Sequence, residues 1–409
     1  MNQHSTPAAY GLFSRAMMAV MIAQFLSAMA DNALLFAAIA LLKLQHAPDW
    51  LTPVLQEVFA VAFILLAPFA GPFADAIPKG RAMLIANALK FIGAEAMLVG
   101  LNPLIAYNLV GIGAAAYSPA KYGILGEMVG PDKLVKANSL MEGSTIVAIL
   151  LGAVLGGVLA DWSVSGALAA VAGCYLLAAV ANAFIPKLPV AHPSARLALV
   201  PLVREFWNSL TTLMRNPDAR FSLVGTSIFW GAGSTLRFLL VAWVPAALLI
   251  FDNQTPANLS GVVAIGIALG AAAAAHYVHL HTVNRALPAG ILIGLLIIAF
   301  AHVTAMPAAI VMLVLIGACG GFYVVPLNAL LQERGHQTVG SGHAVAVQNF
   351  FENLSMMLMV GVYVVMTKAG LPPIMAATGF GLLVTLAIGL LSWVRLKKQE
   401  ARNESLSRP

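Results

Sequence analysis

The chain has 409 residues, of which 60% are hydrophobic and 9% charged, and its mean hydropathy is +0.89. Soluble domains carry roughly a quarter charged residues, so the composition excludes an ordinary soluble protein and indicates a polytopic membrane protein. The formal net charge is +6, but its distribution does not favour nucleic-acid binding. No Gly-Lys-Ser/Thr sequence of a phosphate-binding loop occurs, which argues against an ATP-driven pump.

Apolar segments long enough to cross a bilayer recur along the whole chain, and about twelve can be counted. They predict an all-α membrane protein with twelve transmembrane helices in two six-helix bundles. The predicted bundles are residues 17–185 and 221–394. The remaining parts are an N-terminal segment, an inter-bundle loop and a tail, which cover residues 1–16, 186–220 and 395–409.

Lys and Arg residues predict the orientation. With the N-terminus in the cytoplasm, 18 of the 22 basic residues fall on the inner side and only Lys43 and Lys368 outside. Lys90 and Arg237 lie within spans. This asymmetry satisfies the positive-inside rule and places both termini in the cytoplasm.

The first apolar segment, Met21–Leu44, resembles a cleavable signal peptide as far as Ala28-Met29-Ala30. Because the apolar pattern resumes at once from Ala33, we expect one retained transmembrane helix instead. The inter-bundle loop contains LALVPLVREFWNSLTTLMRN, whose apolar spacing predicts a helix on the inner membrane surface, with a simple tether as an equal alternative. The charged tail KKQEARNESLSRP is expected to be loose and solvated.

Asp31 and Asn32 lie in the middle of the first apolar segment. A carboxylate at a helix centre costs about 2.5 to 3.5 kcal/mol on insertion scales, so it must reach water, a partner or a ligand. At an offset of 206 from Asp31 lies Arg237, midway along another apolar run. Asp31 is therefore the first candidate for function.

An internal repeat relates the two halves. GIGAAAYSPAKYGILGE, from Gly111, matches GACGGFYVVPLNALLQE, from Gly317, and the shift of 206 also pairs Glu142 with Gln348. Parallel repeats of this kind are typical of the major facilitator architecture, in which substrate binds near the midplane between the halves. We therefore expect Asp31 and Arg237 to face one another or a shared ligand.

Three charged residues, Asp31, Arg237 and Glu352, each lie near the middle of an apolar span. The guanidinium of Arg237 suits phosphate oxygens, and Asp31 or Glu352 suits an ammonium group. The alternative is a set of charges that neutralise one another and hold the halves together. A ligand head group can replace an internal partner, so both interpretations can hold.

Three further polar residues are candidates for ligand contact, and each also has an ordinary structural interpretation. Lys121 follows Pro119, which is expected to break its helix and direct the cation to the cytoplasmic mouth; an ordinary positive-inside anchor is equally compatible. Glu142 is expected to face the cavity with Gln348, or to hydrogen-bond within the first half. Lys90 is expected to snorkel and is a weak candidate for ligand contact.

The segment GPFADAIPKGR is similar to the G-x-x-x-D…Gly-Arg motif of major facilitators, which latches the halves. The Gly-Arg pair arrives two residues late, so the match is partial, and Asp75 and Arg81 are predicted to act in conformational latching.

Gly152/Gly156 and Gly266/Gly270 form small-residue faces that predict tight helix packing, with a lateral opening for an acyl chain as the alternative. No cofactor and no metal site are expected, because His276, His279 and His281 have no carboxylate or thiol nearby in sequence.

Five segments carry a resemblance to a known family: AQFLSAMADNALLF, GAAAYSPAKYGILGE, KANSLMEGSTIVAILLG, SLVGTSIFWGAGSTLRFLLVAWVP and VVPLNALLQERG. From about residue 12 to 395 the sequence resembles the bacterial lysophospholipid transporters of the major facilitator superfamily. The resemblance implies a monomeric inner-membrane protein that moves lysophosphatidylethanolamine and lysophosphatidylglycerol from the outer to the inner leaflet. It also implies a functional partner, an acyltransferase/acyl carrier protein synthetase that re-acylates them.

Two other functions are alternatives. A proton-coupled multidrug exporter of the same superfamily would use Asp31 as its protonation site. An acyltransferase is disfavoured, because none of the nine histidines is followed five positions later by Asp and the loops are too short for a catalytic domain. We therefore expect a transporter and not an enzyme.

Overall fold

The structure is a computed structural model that describes residues 10–129, 131–188, 199–278 and 280–407. Six α-helices make up the first half of the chain: α1 (Arg15–Leu44), α2 (Leu51–Ala76), α3 (Lys79–Leu98), α4 (Pro103–Met128), α5 (Pro131–Trp162) and α6 (Val164–Ala183). Seven follow: α7 (Leu199–Arg215), α8 (Pro217–Trp243), α9 (Gln254–Tyr277), α10 (Leu287–Ala301), α11 (Met306–Thr338), α12 (Ser341–Lys368) and α13 (Pro373–Ser407).

Ten helices in the described part of the chain are long and apolar enough to cross a membrane. They are α1, α2, α5, α6 and α8 to α13. Helices α3 and α4 are more polar; α3 alone carries Lys79, Arg81, Lys90 and Glu95. The chain is thus an all-α polytopic membrane protein, as its composition predicts, while the count of twelve spans stays a prediction.

The residues cluster into two compact units. The first comprises Met1–Leu41 and Ala62–Glu205, and the second comprises Leu42–Val61 and Phe206–Pro409. The connection between α1 and α2 therefore belongs to the second unit. There Lys43 donates a hydrogen bond to Asn253 at 2.8 Å, and the Lys368 ammonium lies 5.2 Å from the centre of the Trp50 ring.

Helix starts follow capping rules that the sequence encodes. Asn102 and Asn216 precede a proline at the first position of α4 and α8, and their side chains accept hydrogen bonds from backbone N–H groups. Ser163 caps α6 by accepting from Gly166 N at 3.0 Å. Each cap satisfies N–H groups that have no partner inside the helix, which fixes where the helix begins.

Prolines inside the helices do not end them. Pro119 lies within α4 and Pro326 within α11, and both helices continue for several residues beyond the proline. The expectation that Pro119 breaks its helix is wrong. In a membrane protein neighbouring helices and side chains satisfy the freed backbone groups, so an interior proline is tolerated.

Glycines allow helix backbones to approach closely within each unit. A Cβ atom built on Gly156 of α5 would lie 2.7 Å from Ala33 Cα of α1, and one on Gly266 of α9 would lie 2.9 Å from Gly317 Cα of α11. The small-residue faces are therefore used for tight helix packing, as expected. The described contacts of Gly266 and Gly270 are made with α11.

Two expectations about polar segments have different outcomes. The predicted amphipathic helix is present as α7, which buries Phe206, Ser209, Leu210 and Leu213 at helical spacing. Its predicted place on the membrane surface stays a prediction. The expectation of a loose tail is wrong, because α13 continues to Ser407; Lys, Gln, Glu, Ala and Arg are strong helix formers.

We predict that Gly317→Ala destabilises the protein and that Gly389→Ala does not. A Cβ on Gly317 meets the Val263 carbonyl oxygen and the Gly266 backbone, and such overpacking costs about 1 to 3 kcal/mol. Gly389 of α13 has no such neighbour within 4 Å, so alanine there should be neutral or stabilising. Thermal unfolding in detergent measures both, and equal stabilities of the two variants would contradict the packing described.

Candidate functional site

Helix α1 carries a polar stripe inside an otherwise apolar sequence. Gln24, Ser27 and Asp31 are spaced three and four residues apart and therefore lie on one side of the helix. Gln24 and Ser27 are buried, with 3% and 1% of their surface exposed, whereas the Asp31 side chain is 24% exposed. The stripe meets polar groups from α3, α5 and α6.

The Asp31 carboxylate is held by two residues of its own unit. The Lys90 ammonium of α3 donates to Oδ1 at 2.9 Å and to Oδ2 at 2.8 Å. The Tyr175 hydroxyl of α6 donates to Oδ1 at 2.7 Å. Charged hydrogen bonds of this length are strong, so residues of the first unit stabilise the Asp31 carboxylate without a partner from the second unit.

Lys90 is only 1% exposed, so the expectation that it snorkels is wrong. Lys90 lies in the middle of α3 on its buried side. A lysine there must be paired, because an isolated buried ammonium would strongly destabilise the fold. Besides Asp31, its ammonium donates to Ser27 Oγ at 3.0 Å. The rings of Tyr117 and Tyr175 lie 5.0 and 5.7 Å from the nitrogen, within cation–π range.

A chain of buried hydrogen bonds extends this cluster across α1, α3 and α6. Ser27 donates to Asn87 Oδ1 at 2.7 Å, and Asn87 donates to Asn182 Oδ1 at 2.7 Å. Asn87 and Asn182 are 0% and 2% exposed. We call Ser27, Asp31, Asn87, Lys90, Tyr175 and Asn182 the α1–α3–α6 polar network. Sequence reasoning identified only Asp31 in it as a strong candidate.

The space for Lys90 comes from Gly113 of α4. A Cβ atom at position 113 would lie 2.7 Å from Lys90 Cγ and 2.8 Å from the Ala86 carbonyl oxygen. The alkyl chain of the lysine therefore runs in the gap that the glycine leaves between α3 and α4. The position of Lys90 in the middle of a helix was the available sequence signal for a buried pair.

Lys121 belongs to a second cluster on the same stripe. Thr145 Oγ1 of α5 accepts from Gln24 Nε2 at 3.1 Å and from Lys121 Nζ at 3.4 Å. Lys121 is only 8% exposed, which is not the position of an ordinary surface anchor. Seven residues of helix separate Gln24 from Asp31, a rise of about 10 Å.

Two candidates of the first half give less information. Asn32 donates to the Ala28 carbonyl oxygen at 2.9 Å, and its Cβ lies beside Gly152 of α5, where a built Cβ would be 3.0 Å away. The amide is thus engaged within its own helix. The side chain of Glu142 lies outside the described residues, and its role stays a prediction.

The second unit contains a separate polar cluster. Gln348 donates to Glu352 Oε1 at 2.7 Å and to Asn328 Oδ1 at 2.8 Å. The Glu352 side chain is 8% exposed. By the repeat, Asn328 and Gln348 occupy the positions of Lys121 and Glu142, at offsets of 207 and 206.

Arg237 lies in α8 of the second unit and is half-buried. The partner that the structure shows for Asp31 is Lys90 of the first unit, so Asp31 does not need Arg237 for neutralisation. The predicted meeting of Asp31 with Arg237 stays a prediction.

The predicted latch is partly described. The side chain of Asp75 lies outside the described residues, and Arg81 is exposed in the first turn of α3. Sequence reasoning missed three ion pairs that lie outside the α1–α3–α6 polar network. Lys79 of α3 lies 3.1 Å from Glu127 of α4, and Asp218 of α8 is bound by Arg334 and Arg395 at 2.8 and 2.6 Å.

No group of three or more His, Cys, Asp or Glu side chains that could hold a metal ion is found among the described residues. Cys174 and Cys319 are free thiols. His279 and the side chain of His281 lie outside the described residues, and His276 packs against the Tyr277 ring at 4.8 Å.

A family model described as Major Facilitator Superfamily matches residues 20–360 of the chain. The chain belongs to this superfamily. Two curated relatives of this chain carry the name Lysophospholipid transporter LplT. That of Enterobacter sp. (strain 638) is 59% identical over 94% of this chain and 97% of its own. That of Citrobacter koseri is 58% identical over 95% of this chain and 97% of its own.

Solved structures of other superfamily members share the fold. The nucleoside transporter NupG has a TM-score of 0.72 at 12% identity, with 93% of this chain and 98% of that chain covered. PepTSo2 has a TM-score of 0.69 at 15% identity, with 95% of this chain and 99% of that chain covered. The predicted major facilitator fold is therefore confirmed, and so is the resemblance to the bacterial lysophospholipid transporters.

We predict that Asn87→Ala lowers the free energy of unfolding by about 1 to 3 kcal/mol, because it leaves Ser27 and Asn182 without their buried partner. The control is Asn208→Ala on the exposed side of α7, where surface substitutions usually change stability by less than about 0.5 kcal/mol. Thermal unfolding of both variants in the same detergent compares them. An Asn87 variant as stable as the control would contradict a cooperative network.

Proposed function

We propose that this superfamily member transports lysophospholipids across the bacterial inner membrane, from the outer to the inner leaflet. The observation that carries the proposal is near full-length identity of 58–59% to relatives named as lysophospholipid transporters. The proposed substrates are lysophosphatidylethanolamine and lysophosphatidylglycerol.

The chemistry of the two units supports this substrate class. A lysophospholipid head group carries a phosphate and, in the ethanolamine lipid, an ammonium. Asp31 and Glu352 are carboxyl groups suited to the ammonium, and Arg237 and Lys121 are cations suited to phosphate oxygens. Asn32, Glu142 and Gln348 are proposed to complete the head-group contacts.

The proposed mechanism is facilitated alternating access, as in the superfamily generally, in which each half supplies part of the path. Arg237 takes the phosphate, Asp31 or Glu352 the ammonium, and Lys121 receives the phosphate towards the cytoplasmic side. Asp75 and Arg81 are proposed to act in latching and not in substrate contact. The cycle needs no cofactor and no covalent chemistry.

The proposed setting is a monomeric inner-membrane protein with both termini in the cytoplasm, because the basic residues concentrate on that side. An acyltransferase/acyl carrier protein synthetase is the proposed functional partner, since re-acylation of the delivered lipid maintains the gradient that drives transport. Membrane lipids surround the protein.

The second candidate function is a proton-coupled multidrug exporter, with Asp31 as the protonation site. It is disfavoured because the relatives that match this chain at 58–59% identity are named as lysophospholipid transporters.

Uptake of labelled lysophosphatidylethanolamine by spheroplasts, with and without a protonophore, distinguishes the two functions. We expect uptake to persist when the proton gradient collapses, because re-acylation keeps the internal lysolipid concentration low. Spheroplasts that lack the chain provide the background. Loss of all chain-dependent uptake on adding the protonophore would instead favour the proton-coupled function.

We predict that Asp31→Asn lowers uptake of lysophosphatidylethanolamine about tenfold or more, and that of lysophosphatidylglycerol by less than about threefold. The reason is that only the ethanolamine lipid brings an ammonium for the carboxylate. The paired variant Arg237→Gln should reduce both lipids alike, because both carry the phosphate. Equal losses of the two lipids in Asp31→Asn would remove the proposed ammonium contact.

A further inference from the structure

We propose that Lys90 is a specificity-determining residue that exchanges its carboxylate partner for the substrate phosphate when a head group reaches Asp31. This inference rests on the proposed function and deepens it by naming an anion subsite in the first unit. In the resting state the Asp31 carboxylate and the Lys90 ammonium neutralise each other. In the occupied state each binds the opposite charge of the lipid.

The accessibility of the pair is asymmetric. Lys90 is 1% exposed and its three N–H donors are all used, on the two Asp31 oxygens and Ser27 Oγ. The Asp31 side chain is 24% exposed and receives three hydrogen bonds, although a carboxylate offers about four acceptor positions. A ligand therefore meets the carboxylate first, and the lysine becomes available only when that partner is taken.

The surroundings of Lys90 allow it to exchange partners without losing all stabilisation. Ser27 Oγ lies 3.0 Å from its nitrogen, and the Tyr117 and Tyr175 rings lie at 5.0 and 5.7 Å. The Ser27 and Tyr117 contacts remain when Asp31 turns to a ligand, because no hydrogen bond joins these two residues to the carboxylate. The four-carbon stem is flexible and presents its charge as a point, which suits a moving phosphate group.

The charges of the site match those of the head group. Asp31 and Lys90 are together neutral, and lysophosphatidylethanolamine adds one ammonium and one phosphate, so four charges arrange themselves as two opposite pairs. Lysophosphatidylglycerol adds only the phosphate. Without Lys90 that phosphate would meet an uncompensated Asp31 carboxylate, which repels it.

The alternative to exchange is a static clamp, in which the pair only joins α1 to α3. A clamp serves both lipids equally, so its loss changes their transport in parallel. If the exchange occurs, Lys90→Gln should favour lysophosphatidylethanolamine and Asp31→Asn should favour lysophosphatidylglycerol. The ratio of the two uptake rates therefore tests the proposal independently of how much protein reaches the membrane.

The test measures uptake of both labelled lipids by spheroplasts that express Lys90→Gln. We expect the lysophosphatidylglycerol:lysophosphatidylethanolamine ratio to fall about tenfold, the size of one charged contact, while Asp31→Asn raises it. The matched control is Lys79→Gln, which removes another buried lysine of α3, paired with Glu127 at 3.1 Å, and should leave the ratio unchanged. An unchanged ratio in Lys90→Gln overturns the exchange and supports the clamp.

The double variant Asp31→Asn/Lys90→Gln covers the case in which Lys90→Gln does not fold, because it leaves no unpaired charge. Exchange predicts that uptake of both lipids stays low, since neither head-group charge finds its partner. A clamp predicts recovery, since an amide pair can still join α1 to α3. Recovery of uptake by the double variant therefore overturns the proposal.

The two proposals fail in distinguishable ways. If the wild-type chain takes up neither lysolipid above background, the proposed function fails. If it takes up both and Asp31→Asn selectively loses the ethanolamine lipid, while Lys90→Gln keeps the wild-type ratio, only the exchange fails.

Discussion

A buried pair of opposite charges, Asp31 and Lys90, governs the interior of the first unit. An isolated charge in an apolar bundle would destabilise the fold, because the free energy of desolvating an ion is far larger than the stabilisation from any single packing contact. Their meeting brings α1 and α3 together, and Tyr175 brings α6 to the same point. Ser27, Asn87 and Asn182 extend this contact as a chain of buried hydrogen bonds.

Close packing makes this arrangement possible. Gly113 leaves room for the lysine stem between α3 and α4, and Gly152 and Gly156 let α5 approach α1 beside Asn32 and Ala33. In hydrocarbon, small residues and interhelical hydrogen bonds replace the hydrophobic effect as the source of helix association. The residues that position the candidate site are therefore largely glycines and amides, which lack any charge signal in the sequence.

The repeat preserves architecture more than chemistry. Asn328 and Gln348 contact each other at 2.8 Å in the second unit, at positions that correspond to Lys121 and Glu142. The position that corresponds to Lys90 is Leu296, at the same offset of 206, so the buried ammonium has no counterpart in the second half. The two units share a helical plan but differ in the charged residues that their helices carry.

The sequence by itself determined the membrane class, the helical fold, the family and the choice of Asp31 as a candidate, because hydropathy, repeats and a carboxylate inside an apolar run are local properties of the chain. Only the tertiary structure decided that Lys90 is its partner, that α4 continues past Pro119 to bury Lys121, and that Asn87 links Ser27 to Asn182. Those residues are distant in sequence, and which of them meet depends on the rotation and depth of each helix, which interhelical packing sets and local sequence does not.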